Sequence, residues 1–281
     1  MRQMNTARRQ GHWDARAAGN FIAGGCGTGL VLASAMAHLL NGSDVTVPLL
    51  TGLVLVGVGL SLVWLEIGKP WRALNVFFHP QTSWMTREGI LAGPLLVAGA
   101  AAAWLDSPFA LALAALLAAG FLYCQARILR AARAIPAWSH PRTVPLIVLT
   151  GLAEGWGAYL VLGEPSPPMI AVTVGLLGAR EIAREAWRRG LIATKAPEGT
   201  LAWFVRPEER VLQILRVAAM VLLLAGMVGA ANAAMLGGAL AVITGWGLKA
   251  ILVTRAAYTR GLRIPRTPTR GRSAARVVDP S

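Results

Sequence analysis

Three observations predict an all-α integral membrane protein of eight spanning helices. Of the 281 residues, 55% are hydrophobic before the 31 Gly are counted, and only 14% are charged. A soluble domain has about 45–50% apolar residues, Gly included, and about 25% charged ones. Eight segments stay apolar over about the 20 residues a helix needs to cross a hydrocarbon core some 30 Å thick. The Lys and Arg residues fall in alternate connections between those segments, as cytoplasmic loops do.

The expected spans are Gly19–Leu40, Thr46–Ile67, Ile90–Leu105, Pro108–Ala126, Val144–Gly163, Pro168–Ala186, Leu212–Ala231 and Ala234–Thr254. The third is short and the sixth carries charge in its last turns. The last two come from one charge-free stretch, 217–248, which is too long for a single crossing. Two helices fit it if Arg216 and Lys249 snorkel to the same interface.

Basic residues place the loops. The N-terminal arm, 1–18, holds Arg2, Arg8, Arg9 and Arg16, and the connection after span 2 holds Lys69, Arg72 and Arg87. The loop at 131–143 and the long loop at about 187–211 are also basic, and seven Arg lie from Arg255 to Arg276, at the end of span 8 and in the tail, 256–281. The other connections carry Asp44, Asp106 and Glu164 and no Lys or Arg. The positive-inside rule then places both termini in the cytoplasm. The first apolar run is too long for the h-region of a signal peptide. The tail is rich in Arg, Pro, Ser and Thr, with little to bury, and is expected to be mobile. The net charge of +14 is thus topological and not a nucleic-acid footprint.

Composition also bounds the chemistry. The two Cys, Cys26 and Cys124, are too few for an iron–sulfur cluster. Of the four His, His38 alone falls within a span, so a bis-His haem inside the bundle is not expected. Electron transfer would need an exchangeable carrier or a partner's cofactors.

Several motifs have two readings. Gly24-Gly25-Cys26-Gly27-Thr28-Gly29 resembles a nucleotide loop but lies inside a span with no strand before it; either it packs closely against another helix or it walls a ligand pocket. Glu66 sits near Lys69, as an interfacial ion pair or a proton-handling group. Glu154 lies near the middle of its span, where an ionisable group is costly and a functional candidate; a proton path and a buried hydrogen bond both remain open. The segment Gly68-Lys69-Pro70-Trp71-Arg72, followed by Ser83-Trp84-Met85-Thr86-Arg87-Glu88, is too aromatic and charged for a plain linker. It reads either as an aromatic belt or as the lid of a pocket for a flat headgroup.

The Gly-rich first span with these two elements resembles the membrane-anchor subunits of molybdopterin oxidoreductases, a family that includes polysulfide reductase, dimethyl sulfoxide reductase and NrfD-type proteins. The resemblance covers about residues 20–163. The later stretch Ala186–Trp203 looks more like the anchor associated with phenylacetyl-CoA:acceptor oxidoreductase. The resemblance implies two four-helix bundles, here 19–130 with a quinone site and 144–255. It implies no redox metal in this chain, and a docked ferredoxin-like iron–sulfur subunit wired to a molybdopterin catalytic subunit. In the family, the quinone site uses polar residues early in span 1, a Tyr on span 4 and the acidic residue of S-W-x-x-R-E. Asn20, Tyr123 and Glu88 match these; the His that some members have early in span 1 has no counterpart here.

Topology brings the same groups together. Asn20, Tyr123, Arg127, Trp84, Arg87 and Glu88 all lie at the cytoplasmic end of the first four spans. Glu88 and Tyr123 are the expected catalytic pair. Asn20, Gly24, Gly27, Trp84, Arg87, Tyr123 and Arg127 are the expected quinone contacts, and Glu66 and Glu154 a possible proton path. The reading is a quinone-handling subunit of a respiratory complex in a prokaryotic inner membrane, with partners on the cytoplasmic face. Its rivals are a secondary transporter and a purely structural anchor. A transporter would be expected to show internal repeats and midplane polar residues; no convincing repeat is visible in the sequence.

Overall fold

The computed structural model describes residues 7–66 and 77–260. The expected arm residues 1–6, the Gly68–Arg72 element with Lys69, and the tail from 261 lie outside them, as does the Glu66 side chain. Ten α-helices follow in chain order: α1 (Ala15–Asn41), α2 (Thr46–Glu66), α3 (Trp84–Leu105), α4 (Pro108–Ala131), α5 (Pro136–Ser139), α6 (Thr143–Leu162), α7 (Pro167–Ala193), α8 (Glu198–Leu201), α9 (Pro207–Met227) and α10 (Ala231–Thr254). Seven of them, α1, α2, α3, α4, α6, α9 and α10, are long and apolar enough to cross a membrane. The chain is therefore an all-α, multi-pass membrane protein.

Helix α7 differs from those seven because its middle carries Arg180, Glu181, Arg184 and Glu185. Two of those charges are met by α9. Arg184 Nη1 reaches Glu209 at 3.1 Å and Glu181 reaches Arg216 Nε at 3.2 Å.

The helix ends follow local chemistry. Asp14 caps α1, accepting from the Arg16 amide, and Ser83 and Ser107 cap α3 and α4 in the same way. Such a cap satisfies amides that have no intrahelical partner. Because of the Ser83 cap, α3 starts at Trp84 and not at Ile90, so the Trp84–Glu88 element forms its first turn and not a loop. Gly42 closes α1 in the left-handed region at φ 63°, which a residue without Cβ adopts freely.

The first helix is the hub. It packs against α2, α4, α6 and α10, and α6 packs in turn against α7 and α10. Helices α1 to α4 form one ring of neighbours, and α6, α7, α9 and α10 a second. Lipid tails are as apolar as Leu, so close backbone approach rather than hydrophobic exclusion drives helix association here. Glycines make that approach possible. Gly27 meets the backbone of Gly52 on α2, and Gly29 meets Gly151 and Gly155 on α6. A methyl group at Gly155 would collide with the Gly29 backbone.

The two ends of the described chain meet. Arg9 bridges Tyr258, the Thr259 amide donates to Arg8 O at 2.9 Å, and the Gln10 amide donates to Ala257 O at 2.8 Å. Residues 256–260, expected as the start of a mobile tail, are thus held against the N-terminal arm.

Candidate functional site

A pocket of about 240 Å³ opens where the first turns of α1 and α3 meet the last turns of α2 and α4. Its wall includes Trp13, Asn20, Phe21, Met85, Glu88 and Ile128. The rim is stiff. Trp13 stacks on Trp138 with centroids 4.8 Å apart and tilts against Phe21 at 5.8 Å. Arg16 donates to the Asp14 carboxylate at the head of α1, and its side-chain hydrogen bond holds that carboxyl below its usual range.

Glu88 and Asn20 are buried, and their side chains lie beside each other and beside Gln125 of α4. Gln125 is also fully buried, and its Nε2 donates to the main-chain carbonyl of Asn20 at 3.1 Å. Asn20 Oδ1, Glu88 Oε1 and Gln125 Oε1 are buried with no hydrogen-bond partner in the protein. Buried acceptors of this kind are costly, and the two on residues of the pocket wall, Asn20 and Glu88, suit a ligand that donates.

The other expected residues form a second cluster on the flank. Arg87 and Arg127 lie over the Trp84 ring, 4.2 and 4.3 Å from its centroid. Tyr123 meets Trp84 edge-on at 5.8 Å, and Arg127 Nη1 donates to its hydroxyl at 2.6 Å. Arg87 also ties the preceding loop down, donating to Pro80 O at 2.7 Å and Gln81 O at 2.9 Å. Tyr123 is 43% exposed and does not line the pocket. The expected set thus divides, with Asn20 and Glu88 in the pocket wall and Trp84, Arg87, Tyr123 and Arg127 beside it. Gly24 lies under the Gln125 amide, while Gly27 faces α2.

Gln125 was not among the expected residues. Its signal was present, as a lone amide late in an otherwise apolar span. Lys249 corrects a second expectation. It does not snorkel; it is 0% exposed, and its ammonium bonds Glu154 Oε2 at 2.6 Å. Arg216 is likewise buried and bonds Glu209 at 2.7 Å. An unpaired cation inside the bundle would be costly, and pairing with a buried carboxylate offsets that cost in place of snorkelling. Among the described residues, no group of three or more His, Cys, Asp or Glu is placed to hold a metal ion. Comparison with known proteins finds no matching family model and no matching curated protein.

Proposed function

We propose that the chain is the quinone-interacting membrane anchor of a respiratory molybdenum and iron–sulfur oxidoreductase. The observation that carries this reading is the pocket itself, with unpartnered acceptors on Asn20 and Glu88 at one end of an apolar helix bundle. A quinol offers two hydroxyl donors on a flat ring, and its tail needs an apolar path. The volume is below the roughly 300–1,000 Å³ of drug-sized sites, which suits one ring with its tail left in lipid. Towards the oxidised quinone, the Asn20 amide and a protonated Glu88 donate instead. Gln125 fixes Asn20 through its main chain, and the Arg–Trp84–Tyr123 cluster stiffens the start of α3. The protein supplies binding, orientation and a proton-handling carboxyl.

Electrons would arrive from, or leave to, a ferredoxin-like iron–sulfur subunit, which a molybdopterin catalytic subunit serves. Purifying the complex through a tag on this chain is expected to bring down iron and molybdenum together and to show turnover with a short-tailed quinol. The isolated chain is expected to show no b-type haem band. A haem band in the single subunit, or a preparation free of iron and molybdenum, would overturn the reading.

The topology goes with this proposal. It has eight spans, α7 included, with both termini and the pocket end in the cytoplasm of a prokaryotic cell. Reporter fusions at Asp44, Asp106 and Glu164 should report the outside, and fusions after Arg142 and Arg260 the inside. A fusion at Asn232 that reports the cytoplasm would remove the last hairpin.

A second reading, a secondary transporter, draws on the buried Glu154–Lys249 pair and on the repeated neighbour relations of the two helix rings. Substrate uptake into vesicles by the isolated chain would favour it.

A further inference from the structure

The Glu154–Lys249 pair does not stand alone. Glu154 lies eleven residues into α6, so roughly 16 Å from its start, close to the middle of that helix. Lys249 comes from α10 and Arg180 from α7, and both are fully buried. Arg180 is close enough to act electrostatically on Glu154, and the pair in turn acts on Cys26 of α1. The glycines leave room for this array: Glu154 lies over Gly245, and Lys249 Nζ lies over Gly25. Gln125 Oε1 lies over that same Gly25. Lys249 of the second ring and Gln125 of the first therefore meet at one residue of α1, and Gln125 is also the neighbour of Glu88. Glu154 Oε1, Gln125 Oε1 and Glu88 Oε1 each lack a partner in the protein. A row of buried, unpaired oxygens is where ordered water bridges polar groups.

We propose that the Glu154–Lys249 pair is a proton reservoir for the pocket, connected to Glu88 through Gln125 and bridging water. It rests on the pocket being the quinone site. In the direction of quinol, one quinone takes two electrons from the iron–sulfur partner and two protons. The Glu88 carboxyl gives the first proton. The Lys249 ammonium then gives its own to the emptied Glu88 carboxylate, which passes it on as the second. What remains is a neutral amine beside the Glu154 carboxylate, whose charge Arg180 balances. In the direction of quinone, the same groups accept the protons in reverse order.

Reloading runs back through the pocket. On the far side of Glu154, Arg180 is held rigidly, Nη1 donating to Ala241 O at 3.0 Å and Nη2 to Thr244 Oγ1 at 2.9 Å. A fixed guanidinium repels a travelling proton. It separates the pair from Glu181, which is 29% exposed.

The test uses the complex with a short-tailed naphthoquinone. The double variant Glu154→Gln/Lys249→Met removes both charges together, so neither is left buried alone. Its quinone KM and dye-linked activity are expected to match those of the wild type, its kcat to fall about tenfold, less than the roughly 10²–10⁴-fold of an acid that acts directly on the substrate, and its solvent deuterium isotope effect to rise. Glu154→Gln alone should remove a carboxylate stretching band from the redox-difference infrared spectrum, the band that shifts as Lys249 beside it loses its proton. Wild-type kcat and isotope effect in the double variant, with Glu88→Gln still inactive towards quinone, would overturn the reservoir and leave the pocket standing. Full quinone turnover in Glu88→Gln would instead overturn the pocket.

Discussion

Replacing Glu88 with Gln is expected to lower quinone-coupled turnover by about 10²–10⁴-fold, the usual contribution of a positioned acid or base. The assembled complex should keep its activity with an artificial dye. The amide has the size of the carboxyl, so the packing beside Asn20 and Gln125 survives, while the proton that Glu88 passes is gone. Tyr123→Phe is expected to be milder, with a loss below about tenfold. Its hydroxyl is taken by Arg127, and its ring lies outside the pocket. Steady-state rates with quinol and with dye on the same preparations decide this. Full quinone activity in Glu88→Gln would move the site, most directly to Glu154.

The largest structural effect is expected at Gly155. A branched side chain there, as in Gly155→Val, would drive into the Gly29 backbone, where no flexible side chain is available to yield. Overpacking a well-packed interior costs about 1–3 kcal/mol when side chains can shift; against main chain, the α1–α6 seam must part. The variant is expected to lose its cooperative thermal transition in detergent, or not to accumulate. Gly57→Ala and Gly175→Ala are matched controls, because nothing lies within 4 Å of the added methyl. Their transitions should stay within about 0.5 kcal/mol of the wild type. An intact transition in Gly155→Val would show that the seam is not tightly closed.

The all-α, multi-pass character of the chain was legible in the sequence, because apolar length is a one-dimensional property. Rotation about each helix axis was not. Glu88 and Tyr123 share one end of the bundle, yet one faces inward and the other the flank. Facing depends on which neighbour each helix meets, and that choice is made by glycine contacts between residues far apart in the chain. The pairing of Lys249 with Glu154 spans 95 positions, so a lysine at the end of an apolar run read as snorkelling. The start of α3 was missed for a different reason. Its first turn is aromatic and charged, which resembles a loop until the Ser83 cap is recognised.

The hub position of α1 has a consequence for biosynthesis. This helix leaves the ribosome well before α6 and α10, which cover two of its faces and are completed only at Leu162 and Thr254. At about 5–20 residues per second, Asn20, Thr28 and the Gly25–Gly29 face wait roughly 6–24 seconds for α6 and longer for α10. Helix α2, following at once, shields one side through Gly27 and Gly52. The remaining polar and glycine-lined surface must be held by the insertion machinery until the second half of the chain arrives. A nascent chain truncated after α4 should therefore stay bound to its insertase, and one extended past Thr254 should be released.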